Sequence, residues 1–245
     1  LEEDEALRLV NAAQVGEPMV GRTRKGLAHY RRTGEDLPGE IRWRLTGPER
    51  ALMYLFTIQT GLRRSALERL TVGDFELDGK EPTVRVQPKP NTKSRKLQII
   101  PLRKETAALL KKHLDSRLPA APAFDVPEPY ETADMFREDL SAAREQWISK
   151  GKTPKDRAKR ADTDYLKDID AEGRRLDFHA QRTTTGTSLD QKGVASSIAT
   201  RITGHATGRV LKQHYHRSTQ DQVRRAIDLL PAFELSATGT DDAGR

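Results

Sequence analysis

The chain contains no cysteine, which excludes disulfides and thiolate metal sites and leaves it indifferent to the redox state of its compartment, so that a reducing cytoplasm is expected. No window approaches 18 apolar residues, so no segment reads as a membrane-spanning helix. The opening LEEDEALRLVNAA is acidic and amphipathic, the reverse of the basic-then-apolar pattern of a secretory signal. No internal repeat is found. The 245 residues carry 35% hydrophobic and 32% charged side chains, with a mean hydropathy of −0.74. That is enough apolar material for one large domain or two small ones beneath a heavily polar surface.

Charge of one sign is in excess. With 43 Lys and Arg against 36 Asp and Glu, the net charge is +7. A basic surface favours a polyanionic partner, because each cation that meets a phosphate releases condensed counterions. By itself this excess also fits a solvated basic surface.

Apolar residues at helical spacing predict a helix near residues 2 to 14, then a loop-rich stretch over 15–47 to which no chemistry is assigned. A helix over 49–60 is stopped by Gly61, and a short one follows over 64–70. The pieces DFEL, TVRVQ and LQIIPL predict a small three-stranded antiparallel sheet, with Lys93 in the turn between its last two strands. Leu109, Leu110 and Leu114 mark another helix, ended by the proline-rich LPAAPAFDVPEP, a linker or long surface loop. Residues 130–150 read as a helix and 151–175 as a highly charged segment. Helices are then expected near 180–191, 194–203, 208–217 and 219–230, before a disordered tail. The fold class is mainly α with a small three-stranded antiparallel β-sheet.

Five segments carry the chemistry: TGLR ending at Arg63, Lys93 in its polar turn, HAQR from His179 to Arg182, GH at His205, and Tyr215. Two arginines, a lysine and two histidines around one tyrosine form a phosphoryl-transfer set. The arginines neutralise a pentacoordinate phosphate, the lysine or a histidine moves protons, and the tyrosine becomes a covalent phosphoester, with no metal or cofactor required. Each residue also has a plainer reading. Arg63 could pair with a surface carboxylate, with Arg64 its exposed neighbour. Lys93 competes with Lys89 and Lys96. A histidine at a helix start is often a cap, and a tyrosine on a helix is often core. His205, His214 and His216 could be imagined as a metal site, but neighbours one or two apart on a helix diverge. Tyr165 is a second tyrosine, without a GH before it.

In order and wording these segments resemble the catalytic domain of the tyrosine recombinases, also called phage integrases. TGLRRSALERLTVGDF resembles the first-arginine box, and DFHAQRTTTGTSLDQKGVASSIATRITGHATGRVLKQHYHR the second box complete. The resemblance implies a catalytic domain over 1–230 with a charged, possibly inserted segment at about 117–177, a flexible tail over 231–245, and a core-binding domain missing from the N-terminal side. It implies a site-specific recombinase acting on double-stranded DNA through a 3′-phosphotyrosyl link to Tyr215. In that scheme Lys93 serves as general acid toward the leaving 5′ oxygen, and His205 donates to a non-bridging oxygen. It further implies a homotetramer on DNA, with 219–230 a candidate docking helix that could equally pack in cis. Two departures stand out: Ala66 occupies the family's glutamate position, leaving Glu68 as a substitute support for Arg63, and Gln181 stands where a leucine is usual. A type IB topoisomerase and a decayed DNA-binding module are the competing readings.

Overall fold

The computed structural model describes residues 1–88 and 97–204. Helix α1, Glu3–Val15, starts on three acidic residues that complement its dipole, and it buries Ala6, Leu9, Ala12 and Ala13. The stretch expected to be loop is instead built. Strand β1, Met19–Arg22, helix α2, Arg24–Thr33, and strand β2, Ile41–Leu45, form an antiparallel pair with a helix between its strands, in the register Met19↔Leu45 and Gly21↔Trp43. A Cβ on Gly21 would lie 1.9 Å from Trp43 Nε1, so only glycine lets the indole lie across the ribbon. Strand β2 reads Ile41-Arg42-Trp43-Arg44-Leu45, a period-2 alternation that is easily passed over because it is short and lies in a stretch rich in glycine, proline and charge.

Helix α3, Gly47–Thr60, is capped by Thr46 and carries Pro48 in its first turn. The Thr46 N–H donates to Glu49 at 2.8 Å, a reciprocal cap. It ends on Gly61, whose φ of 63° is the left-handed conformation that glycine adopts without strain. Helix α4, Arg64–Leu67, is shorter than expected, and a single 3₁₀ turn follows at Val72–Asp74. Strands β3, Phe75–Glu76, β4, Thr83–Val86, and β5, Gln98–Pro101, form the three-stranded antiparallel sheet in that order. Val84, Val86 and Ile100 point inward while Ile99 faces out, the period-2 alternation of a half-buried sheet. Lys93, expected in the turn between the last two strands, lies outside the described residues.

Helix α5, Lys104–Leu114, leads into the proline-rich loop, which is tied down and does not behave as a linker. The Ala123 N–H donates to Leu70 O at 2.8 Å, and Phe124 is buried against His113 with ring centroids 5.8 Å apart. Helix α6, Pro129–Ser149, packs on α1, and the short α7, Pro154–Ala161, sits against its far end. The charged segment thus contributes Met135, Phe136, Leu140, Ala143 and Leu166 to the core. Helices α8, Ala180–Gln191, and α9, Ser196–Thr203, close the fold, α8 packing on α3 and α9 on α8. The helices expected over 208–217 and 219–230, and the tail, lie outside the described residues. Among the described residues, no helix is long and apolar enough to cross a membrane.

One polar cluster crosses this core. Arg50 on α3 donates from Nε and Nη2 to the two carboxylate oxygens of Asp139 on α6, at 2.9 and 3.1 Å. Its Nη1 donates to the carbonyls of Glu17 and Leu45 at 3.0 and 3.1 Å. The Tyr54 hydroxyl donates to Asp139 at 2.7 Å. Burial first, and then the Asp139 charge, push the Tyr54 phenol well above its ordinary value, so it remains a donor.

Candidate active site

Arg63 is the first residue after the Gly61–Leu62 turn and caps α4 with extended backbone dihedrals. Because Leu62 is buried, the turn is pinned and the next side chain is presented outward. Arg63 is exposed and forms no ion pair or side-chain hydrogen bond among the described residues. A surface carboxylate partner, the plainer alternative, is absent there. Its neighbour is the committed one. Arg64 Nε donates to Pro127 O at 3.0 Å and to Thr132 Oγ1 at 3.1 Å, and Nη1 donates to Glu68 at 3.0 Å. Two expectations are thereby corrected: Arg64 is partly buried and bonded, and Glu68 supports Arg64, leaving Arg63 without the family's second-layer carboxylate.

His179 sits immediately before α8, at its cap position. It is held there by Phe178, whose ring packs against Tyr54 and Phe136 with centroids 6.1 and 6.3 Å apart, and by its own N–H donating to Asp177 at 2.9 Å. Arg63, Arg64, Pro129, Thr132, Asp177 and His179 are among the residues lining one open cleft of about 190 Å³. Partial burial, followed by the charge of Arg182, holds the His179 imidazole below its ordinary 6.5; Asp177 pulls it back up and Arg63 adds to the depression.

Arg182 does not share the exposure of His179. It is 1% exposed, and its Nη1 donates to the carbonyl of Gly61 at 2.5 Å and to that of Thr203. One guanidinium therefore ties the turn that presents Arg63 to the end of α9, just before the GH. A Cβ on Gly61 would lie 3.1 Å from Thr203 and 3.3 Å from Thr185, so glycine also keeps the approach close. Gln98, the first residue of β5, makes a third tie, donating from Nε2 to Arg201 O at 2.7 Å and Ile202 O at 2.5 Å. The edge strand that follows Lys93 in sequence is thereby fastened to the helix that precedes His205. Sequence reasoning missed Gln98, for which no motif stands.

Of the six sequence-derived residues, Arg63 and His179 line the cleft, and Arg182 bonds the Gly61 carbonyl of the turn that presents Arg63. Lys93, His205 and Tyr215 lie outside the described residues, as do Lys89, Lys96, His214 and His216. Gln181, the departure from leucine, is fully buried with neither amide atom hydrogen-bonded among the described residues, a burial that costs about 1–3 kcal/mol. Tyr165 is unsuited to attack: its hydroxyl donates to Asp4 and accepts from Arg8 at 2.8 Å. Burial and then the Asp4 bond push it up to about 12.

The His179 environment gives a direct test of this convergence. Its folded value lies below the unfolded one, so on acidification the unfolded chain protonates first. The stability contributed is present above 6.5 and is lost as pH falls through the folded value. An imidazole proton titration by NMR is expected to give a midpoint below 6.5, shifted upward in Arg63→Gln. A midpoint that ignores Arg63 would mean the two side chains do not share a site.

The chain matches the model of the phage integrase family over residues 45–222. No curated protein matches it. Among solved structures it is similar in fold to the XerA recombinase, with a TM-score of 0.57 at 16% identity, covering 95% of this chain and 64% of that one. It is similar also to the XerH site-specific recombinase bound to its palindromic difH substrate after cleavage, with a TM-score of 0.54 at 13% identity, covering 94% of this chain and 52% of that one. For the catalytic domain of bacteriophage HP1 integrase the TM-score is 0.51 at 16% identity, covering 94% and 93%. The chain thus spans less than two thirds of the XerA and XerH recombinases and nearly all of the HP1 catalytic domain.

Proposed function

The chain belongs to the phage integrase family, and on that premise we propose that it is a site-specific recombinase that cuts and rejoins double-stranded DNA through Tyr215. The single observation that carries this reading is that Arg63, exposed and uncommitted among the described residues, lines one cleft with His179, its turn tied to the end of α9 by the buried Arg182.

In the proposed reaction the Tyr215 oxygen attacks a backbone phosphorus and the bond to the 5′ oxygen breaks. The products are a 3′-phosphotyrosyl link and a free 5′ hydroxyl. His179, held neutral near pH 7 by its surroundings, accepts the tyrosine proton, and Lys93 protonates the leaving oxygen. Arg63, Arg182 and His205 stabilise the charge that grows on the non-bridging oxygens. A 5′ hydroxyl from a second strand reverses the step, so the phosphodiester energy is conserved without a nucleotide cofactor. Exchange between two sites would use a homotetramer, with residues 219–230 as the segment that docks on a neighbour.

The test is metal-free incubation with nicked duplex containing a candidate site, a denaturing gel for protein–DNA adducts, and mass spectrometry of the adducted peptide. An adduct on Tyr215 is expected. An adduct on another residue, or none from full-length protein that binds the duplex, overturns the assignment. Strand exchange between two labelled duplexes then separates recombination from simple relaxation.

A further inference from the structure

The β1–α2–β2 unit ends at residue 45, where the family match begins, and its charges are arranged unevenly. Two of its three acids are spent internally, and the third, Glu35, is exposed beyond the end of α2. Asp36 accepts from Arg22 at 2.6 Å and from Arg44 at 2.9 Å. Glu40 takes Lys25 at 3.4 Å and the Thr23 hydroxyl. The Arg22 guanidinium is further fixed over the Tyr30 ring, 3.7 Å from its centroid. These contacts hold α2 on the ribbon by its Gly26 and Tyr30 side.

The opposite side is left with Arg24, Arg31 and Arg32. All three are exposed, and none forms an ion pair or side-chain hydrogen bond among the described residues. At 3.6 residues per turn they fall within an arc of about 100° and span about 12 Å of helix. No acidic residue occupies the first turn of α2, where Arg24 stands against the helix dipole. Uncompensated cations on one face repel one another unless a polyanion lies across them.

The position of the unit identifies that polyanion. Arg42 of β2 donates to the Tyr130 hydroxyl at 2.6 Å and to Glu131, both in the first turn of α6. The same turn supplies Pro129 and Thr132 to the wall of the cleft. The ribbon is therefore bolted to the outside of the wall whose inside faces Arg63 and His179.

We propose that α2 is an auxiliary DNA-backbone contact, its Arg24, Arg31 and Arg32 face taking phosphates of the duplex that flanks the cleft. This rests on the functional reading above and adds a contact outside the part of the chain matched to the family. Phosphate contacts of this kind set register and affinity without reading sequence.

The experiment measures the salt dependence of binding of the full chain to a random-sequence duplex. Each lost phosphate contact lowers the slope of log K against log salt by about 0.9, so Arg24→Gln/Arg31→Gln/Arg32→Gln is expected to lower it by roughly 2–3. The thermal midpoint should not move, and the three Arg→Lys changes should keep the slope. The charge-matched control is Lys152→Gln/Lys155→Gln/Lys159→Gln around α7, which bonds the far end of α6 through Arg160 and Trp147 O at 2.6 Å. That end is about 30 Å from the cleft wall, and the slope should hold there. A slope indifferent to the α2 changes, or lowered equally by both sets, overturns the proposal. A wild-type chain with no affinity for duplex would sink the functional reading as well, which is a distinguishable result.

Discussion

Replacing Arg182 with alanine is expected to damage the protein in two separable ways. The first is structural. Its Nη1 is a shared donor for the carbonyls of Gly61 and Thr203 in a place 1% exposed, and each carbonyl left without that donor costs about 1–3 kcal/mol. The turn presenting Arg63 and the end of α9 then lose their common anchor. The second is chemical. Under the proposed mechanism, removing Arg182 withdraws a preorganised positive charge from the transition state, worth roughly 10²–10³-fold in rate. Arg182→Lys separates the two, because it keeps a positive charge and a donor for the carbonyls but lacks the rigid planar guanidinium. Its melting point should fall less than that of the alanine variant while single-turnover cleavage, at unchanged DNA affinity, stays far below wild type. Cleavage at the wild-type rate in Arg182→Lys would reduce this residue to a scaffold.

The second large effect lies away from the chemistry. Asp139→Ala leaves Arg50, 1% exposed, without its carboxylate and Tyr54, fully buried, without its acceptor. Breaking a buried pair from one side costs about 3–5 kcal/mol, and equilibrium urea unfolding should record a loss of that size. The double change Arg50→Met/Asp139→Leu removes both charges and should regain much of it, since an apolar replacement avoids the uncompensated ion. A loss below about 1 kcal/mol in Asp139→Ala would mean that the interior rehydrates Arg50. The consequence extends to the cleft, because Asp139 clamps α6 to α3. The first turn of α6 is one wall and the end of α3 presents Arg63, so a destabilised variant should also bind duplex more weakly.

Local signals were legible wherever a helix announced its own ends. Thr46, Pro48 and Gly61 bracket α3, and the alternation of Val84, Val86, Ile99 and Ile100 gave the small sheet. The 15–47 stretch was misread for an equally physical reason. Its turn residues distract from the short alternation of Ile41, Trp43 and Leu45 with two arginines, and α2 presents mostly charge, its contacts resting on a glycine and a stacked tyrosine rather than an apolar stripe. The support for Arg63 was also misplaced. Counting positions suggested Glu68, but on a single helical turn Glu68 lies four residues from Arg64 and pairs with it.

What the sequence by itself determined is the inventory and its order: which residue types could hold a phosphate or carry it, where turns interrupt helices, and that the chain has the wording of the integrase family. Packing alone reveals that Arg63 is uncommitted among the described residues, that Arg182 is buried and bonded to the turn before it, that Gln98 fastens sheet to helix, and that the ribbon carrying a basic helix is bonded to the first turn of α6. The reason lies in separation along the chain. Periodicity and caps report neighbours three or four residues away, whereas Arg182 meets Gly61 across 121 positions, Gln98 meets Ile202 across 104, and Arg50 meets Asp139 across 89. Partners that distant are chosen by how the elements pack, and no local pattern records the choice.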